Sequence, residues 1–392
     1  LQWRIVILGW LRYAAYYLGR ANLSTALPAI EADLGWSSEQ IGILAGAGIW
    51  TYSLGQLVNG WLGQRANTRG LVFFGIVGST VFNLLFALTS SLPLMVILAL
   101  GNGFMQSMGL GPILRTLSDT LKPEQRQRIA GAFGTSYVMG TVLTWIVTGL
   151  LLSTGQWRLT FIVPPLLMLG MGVVWYVFGT PSRVVPETPL SLNWAAVVLI
   201  VRHFWYIMIA ALFAGARFAG GLAYAPSYAA RTLPLDHAAL AAIVLPLSGL
   251  VGTVWLGDWM LRRFRGNTLQ SLAALLLLAA AARGLAFALP DSTVASVVLL
   301  ASMGAIGFAL TNTVLTAVPL TAHGHFSTSI VAGLMDAMHG IGGAVGSTLV
   351  GLLRARGDWS LVFSVWTLMP LLALAILAAA IRHQAVHRLE TV

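Results

Sequence analysis

The chain of 392 residues has no cysteine, a single lysine (Lys122), and charge on only 9% of its residues. Without cysteine, disulfides and thiolate metal sites are excluded. The one lysine lies between Leu121 and Pro123, so no Gly-Lys pair exists to build a nucleotide-binding P-loop. A Gly-x-Ser-x-Gly elbow and a His-Glu-x-x-His zinc helix are also missing. His323 and His325 flank Gly324, but no carboxylate or third ligand stands near them, so a polar turn is expected there. The expectation is a protein that is not an enzyme and holds no metal or other cofactor.

Apolar residues are abundant instead: 57% of the chain is hydrophobic and the mean hydropathy is +0.83. A soluble domain is about 25% charged. Twelve spans of about 20 residues use roughly 240 positions. Apolar stretches fall at 3–30, 38–62, 69–89, 93–120, 125–153, 158–179, 203–231, 237–261, 267–289, 293–321, 326–353 and 359–383. This reads as an all-α membrane protein of twelve transmembrane helices, and it excludes a soluble enzyme, a disordered chain and a nucleic-acid binder. The first span starts at the first residues, and no cleavable signal segment is expected in it.

The net charge of +10 is topological. Assigning alternate connections to one side gathers 13 cations there (Arg4, Arg65, Arg69, Lys122, Arg126, Arg128, Arg183, Arg202, Arg262, Arg263, Arg265, Arg382, Arg388). The other side has only Arg158, Arg231, Arg354 and Arg356. The positive-inside rule makes the rich side cytoplasmic, with both termini inside and the chain multi-pass in the cell inner (plasma) membrane. Twelve spans suffice for a monomer, with lipid and a small solute as partners.

The longest connection, 180–202, carries Pro181, Pro186 and Pro189 and separates a six-helix bundle at 1–179 from another at 203–392. Its end, Leu192 to Val201, is apolar but short, as expected of a helix on the cytoplasmic surface. The halves repeat. Gly155-Gln156-Trp157-Arg158-Leu159-Thr160-Phe161 returns as Gly357-Asp358-Trp359-Ser360-Leu361-Val362-Phe363, and Ala130-Gly131 returns as Ala332-Gly333, both 202 residues on. Parallel six-helix repeats with a midplane substrate site are the organisation of major facilitator transporters. Small residues at helix spacing, Gly42/Gly46 and Gly342/Gly346, are expected to let helices approach closely.

Charge inside a span is costly and points to function. Arg20 and Arg217 occupy the first helices of the two halves, and a guanidinium fork suits carboxylate, phosphate or sulfonate oxygens. Their alternative role is to neutralise a buried acid, but Asp336 is the one acid well inside a span, and one acid cannot neutralise both. Asp336 and His339 stand three apart on one helix face, either as a proton carrier or as an Asp–Arg gate beside a packed histidine. Arg115 and Asp119, four apart, suit a cytoplasmic latch. Arg12 and Arg283 also fall within or at the ends of spans; Arg283 is expected to snorkel or to pack against a neighbour.

Several strings resemble the organophosphate:phosphate antiporter family of the major facilitator superfamily. Tyr13-Ala14-Ala15-Tyr16-Tyr17-Leu18-Gly19-Arg20 is similar to the segment presenting that family's substrate arginine, and Asn102 to Thr116 is similar to its helix-4 signature. Arg65-Ala66-Asn67-Thr68-Arg69 and Phe264-Arg265-Gly266-Asn267 resemble its two cytoplasmic turns. The resemblance implies Arg20 and Arg217 as the anion-binding pair, with Tyr13, Tyr17 and Tyr52 lining the cavity. It also implies a cytoplasmic gate, for which Arg65, Arg69, Arg115, Asp119 and Asp258 are the candidates. Departures are Ala21, Gln56 and Tyr137, where the family has two lysines and a histidine, and Gln64, where it has an aspartate. Gln56 and Tyr137 stay among the substrate candidates. His339 lies 202 residues beyond Tyr137, so it can take the missing histidine's place.

With fewer cavity cations a monoanion is favoured, since less fixed charge offsets the desolvation of a second negative charge. The expectation is alternating-access transport of a small organic anion, a carboxylate or a phosphate ester, held between Arg20 and Arg217, by exchange. Proton-coupled symport through Asp336 and His339, and a membrane anion sensor, are the alternatives.

Overall fold

The computed structural model describes residues 2–179, 194–229, 244–288, 292–355 and 359–390. Among them every regular element is helical. The first span is α1 (Gln2–Tyr16) and α2 (Asn22–Leu34), interrupted by a 3-10 turn at Tyr17–Gly19. Next come α3 (Ser38–Arg65), α4 (Thr68–Ala87), a span made of α5 (Leu92–Gln106) and α6 (Leu110–Thr120), α7 (Pro123–Leu152) and α8 (Val163–Phe178). The 36-residue α9 (Trp194–Ala229) opens the second series. Val244–Val251 continues through a π-turn into Gly257–Arg263, and Thr268–Ala288 follows. Thr293–Asn312 runs through a second π-turn, Thr313–Ala317, into Val318–Ala322; Thr328–Ala355 and Trp359–Glu390 complete the chain. With interrupted helices counted as single spans, twelve spans lie among the described residues.

Local chemistry sets the boundaries. Ser37 Oγ accepts from the Gln40 N–H while the Gln40 side chain accepts from the Ser37 N–H, a capping box that starts α3. The two turns singled out in the sequence are built alike. Asn67 accepts from the Arg69 N–H, and Asn267 accepts from the Leu269 and Gln270 N–H groups. Gly35, at φ 64°, ends α2 in the left-handed conformation that lets the chain turn back.

Nine of the helices are long and apolar enough to cross a bilayer, counted among the described residues. Phe74, Ile97, Leu150, Leu199 and Leu372 are exposed, as an outer face against hydrocarbon requires. Inside, Leu44, Met95, Phe86, Trp157 and Phe161 form a core cluster, with the Phe86 and Phe161 rings stacked at 4.3 Å.

Contacts group the residues into two units. The first holds Leu1–Ile129, Thr135–Val197 and Pro319–Ala337; the second holds Ala130–Gly134, Val198–Val318 and Met338–Val392. The separate surface helix expected at Leu192 to Val201 does not form: from Trp194 onward these residues are the first turns of α9. Arg202, counted in the sequence among the cations of the connection, lies on α9 with its side chain exposed. The linker residues 180–193, with Pro181, Pro186, Pro189 and Arg183, and residues 237–243 of the eighth expected span lie outside the described residues. So do Arg231, Gly357, Asp358 and the side chain of Arg283.

Candidate functional site

In the first unit, Arg20 follows the 3-10 turn that interrupts the first span, so the break brings it out of the regular helix. Its guanidinium carbon lies 4.0 Å from the Tyr52 ring centre and 5.0 Å from that of Tyr17. Arg20 Nε and Nη2 are buried without a hydrogen-bond partner. A cation stacked on two rings gains attraction from their π-faces, yet its in-plane donors stay available. Tyr13 meets Tyr17 edge-on at 6.0 Å and Tyr137 at 6.4 Å. The structure therefore brings Arg20, Tyr13, Tyr17, Tyr52 and Tyr137 into one aromatic cluster.

Asp336 joins this cluster. The Tyr52 hydroxyl donates to Asp336 Oδ2 at 2.7 Å, and the carboxylate lies within electrostatic reach of Arg20. One turn along α3, Gln56 is buried, and its Nε2 has no partner. Its backbone carbonyl faces Gly333, where a side chain would collide with it.

In the second unit, Arg217 on α9 is 3% exposed, with its Nε buried and unpartnered. A Cβ added at Gly307 would lie 2.8 Å from Arg217 Nη2, so only a glycine leaves the guanidinium its place. Arg217 makes no salt bridge among the described residues. His339 Nε2 is 3.1 Å from Thr311 Oγ1, and its ring tilts against Phe218 at 5.9 Å. Asp336 and His339 thus face different partners, Tyr52 and Thr311, although they lie three apart on the helix Thr328–Ala355. Sequence reasoning missed Thr311. The only available signal was a run of hydroxyl and amide residues, Thr311-Asn312-Thr313, leading into the π-turn, a feature frequent at functional sites.

The gate candidates divide. Arg115 is 3% exposed and donates to the carbonyls of Gly63, at 2.7 Å, and Gln64, capping the C-terminus of α3. Its Nε is 3.6 Å from Asp119 Oδ2, and Asp119 Oδ1 is 3.8 Å from His323 Nδ1. Burial holds His323 below the ordinary histidine range, and nearby Arg126 adds to this while Asp119 opposes it. Gln64, the departure from the antiporter pattern, accepts from the Ser327 hydroxyl at 2.6 Å. Arg65 and Arg69 lie over the rings of Trp61 and Tyr176. Asp258 pairs with Arg262 one turn along its own helix. Arg12, fully buried, sits 4.0 Å over the Trp175 ring.

A "Probable hexose phosphate transport protein" of Chlamydia pneumoniae is 30% identical over 174 residues, which is 44% of this chain and 38% of that protein. This chain therefore spans well under half of that relative's length. A "Probable sulfoacetate transporter" of Cupriavidus necator is 25% identical over 383 residues, covering 91% of this chain and 88% of that protein. A human organic anion transporter of known structure shares the fold with a TM-score of 0.75 at 14% identity, covering 96% of this chain and 99% of that one. The sequence pattern of the Major Facilitator Superfamily matches residues 9–346. A pattern match over most of the chain, joined to twelve helical spans with an arginine in the first span of each series, makes this multi-pass membrane protein a member of the Major Facilitator Superfamily of transporters.

Proposed function

We propose that the protein is a secondary transporter of a small organic anion, working by alternating access, with Arg20 and Arg217 holding the anionic group. The observation that carries this is that Arg20 and Arg217 each hold buried guanidinium nitrogens without a partner. A buried cation without hydrogen bonds is costly, and an oxyanion that engages it supplies charge-assisted bonds at the same stroke. Asp336 partly balances Arg20, and no acid balances Arg217 among the described residues. A carboxylate, sulfonate or phosphate ester fits this chemistry. The relatives named for sulfoacetate and hexose phosphate support the same class.

Exchange is the favoured mode, because an empty pair of arginines disfavours closure and a bound anion removes that obstacle. The geometry of Asp336 favours a second reading, proton-coupled uptake. Its carboxyl is bonded to the Tyr52 hydroxyl beside Arg20, where gain of a proton changes the charge that Arg20 sees.

Protein in liposomes loaded with glycerol 3-phosphate, glucose 6-phosphate or sulfoacetate tests both. Counterflow of labelled anion, none of a neutral sugar, and loss of about 100-fold or more in Arg20→Ala and Arg217→Ala is the expected result. Accumulation driven by a pH jump and abolished in Asp336→Asn selects the proton-coupled mode. Undiminished counterflow in both arginine variants sinks the proposal.

A further inference from the structure

We propose that Asn83 and Asn102 are positioning residues that clamp the break in the first span and so aim Arg20. The inference rests on the anion-binding reading of Arg20. Within the break, the Tyr17 carbonyl accepts from both the Arg20 N–H, at 3.0 Å, and the Ala21 N–H, at 2.8 Å. Leaving the regular helix exposes backbone groups that must find other partners. The Gly19 carbonyl finds two side chains: Asn102 Nδ2 donates to it at 2.9 Å and Asn83 Nδ2 at 3.3 Å.

The far side of the break is tied to the same place. Asn22, the first residue of α2, donates to Asn83 Oδ1 at 2.8 Å and to the Thr160 carbonyl at 3.0 Å. Arg20 and Ala21 are thus strung from anchors on either side, Gly19 and Asn22, both fastened to Asn83.

A further layer fixes the clamp itself. Ser79 Oγ donates to Asn102 Oδ1 at 2.6 Å, and Gln106 Nε2 donates to Ser79 Oγ at 2.8 Å. Asn83 also donates to the Ser79 carbonyl at 2.9 Å, one turn back on α4. Asn22, Ser79, Asn83 and Gln106 are all buried. Gly19 completes the fit, because a Cβ there would lie 2.8 Å from Met168 Cε and 3.0 Å from Gln106 Nε2. Two helices, α4 and α5, therefore determine where the polypeptide delivers the guanidinium. In a low-dielectric site linked amide hydrogen bonds of this kind are stronger than in water and stiffen what they hold, and an anion-binding group must be held to within about 0.5 Å of its working position.

The test compares full-length protein, Asn83→Ala/Asn102→Ala, Asn102→Ser, Arg20→Ala and Asn59→Ala in detergent. Asn59 is a buried amide of the same unit that donates to Ser107 and takes no part in the break. Two readouts are taken: binding of glycerol 3-phosphate, glucose 6-phosphate and sulfoacetate, and backbone amide exchange over residues 17–24, which needs no ligand.

The clamp predicts binding weakened about 10- to 100-fold in the double variant, with exchange over 17–24 accelerated while other helices keep their protection. Asn59→Ala is expected to bind like wild type, with normal exchange over 17–24. Asn102→Ser is the milder variant should the double one fail to fold, and it shifts both readouts the same way. Wild-type exchange over 17–24 in the asparagine variants, or wild-type affinity in them while Arg20→Ala has lost binding, overturns the clamp. Wild-type affinity in Arg20→Ala instead overturns the anion reading, and the exchange data still judge the clamp.

Discussion

A guanidinium inside an apolar span stands out in a sequence, and this is why Arg20 and Arg217 are the anion-binding candidates it offers. The asparagines around them are not. Asn83 and Asn102 are uncharged, and Asn102 enters the sequence reading only as the first residue of the string Asn102 to Thr116. Only the geometry of the break at Tyr17–Gly19 gives them a carbonyl to hold. Asp336 shows the same limit: its spacing to His339 leaves a proton-carrying pair and an Asp–Arg gate equally open, and its hydroxyl partner, Tyr52, lies 284 residues away in sequence.

The residue scale also fixes a pH response. His323 is held below the usual histidine range by burial and Arg126, so the folded protein prefers it neutral whereas the unfolded chain titrates near 6.5. Both states are neutral well above that pH, and stability is then fully present. As pH falls below about 6.5 the unfolded state takes up the proton first, and stability declines until the folded-state value is passed. His323→Gln is expected to flatten the fall in Tm between pH 7.5 and 5.5, read by thermal unfolding in detergent. An unchanged pH slope in that variant contradicts the assignment.

At the scale of elements, lipid removes most of the hydrophobic drive for helix association, so close packing depends on small residues. The expectation is met at Gly342 and Gly346, which lie against the backbone of Leu212 and Ala216, where a side chain has no room. It fails at Gly42 and Gly46, which face open space within 4 Å. Equal spacing in sequence does not tell which face a glycine occupies.

One close contact not read from the sequence joins α3 and α6 to the helix Thr328–Ala355. A Cβ at Gly60 would lie 2.9 Å from the Ser329 carbonyl and 3.1 Å from Gly333 Cα, and one at Gly111 3.0 Å from Ser329 Oγ. Gly60→Val is expected to cost about 1–3 kcal/mol by overpacking and to open this seam. A Ser329→Cys probe, clean because the chain has no cysteine, would then react faster with a soluble maleimide. Equal labelling rates with and without Gly60→Val would contradict the tight seam. Helix boundaries were legible to a few residues where caps such as Ser37 and Asn67 mark them. The start of α9 was not, because hydropathy runs unbroken from Trp194 past the lone Arg202.

At the scale of the whole molecule, the duplicated pattern is the strongest message of the sequence. The 202-residue offset, the paired asparagine-capped turns and the arginines of the first and seventh spans are what one six-helix plan used twice would leave in a sequence. What duplication cannot reveal is divergence. Arg20 stacks on tyrosines near an acid, whereas Arg217 rests against Gly307 with no ion pair among the described residues. A transporter whose halves share one anion makes these unlike arginines depend on each other.

That dependence is the most direct test: anion affinity measured by calorimetry for wild type, Arg20→Ala, Arg217→Ala and the double variant, using the best-bound member of the phosphate ester and sulfonate panel. If one anion engages both guanidinium groups, each single substitution costs about 2–5 kcal/mol, and the double costs little more than either, leaving a coupling well above about 0.5 kcal/mol. Losses that simply add, or a single variant that binds as tightly as wild type, would contradict the shared site.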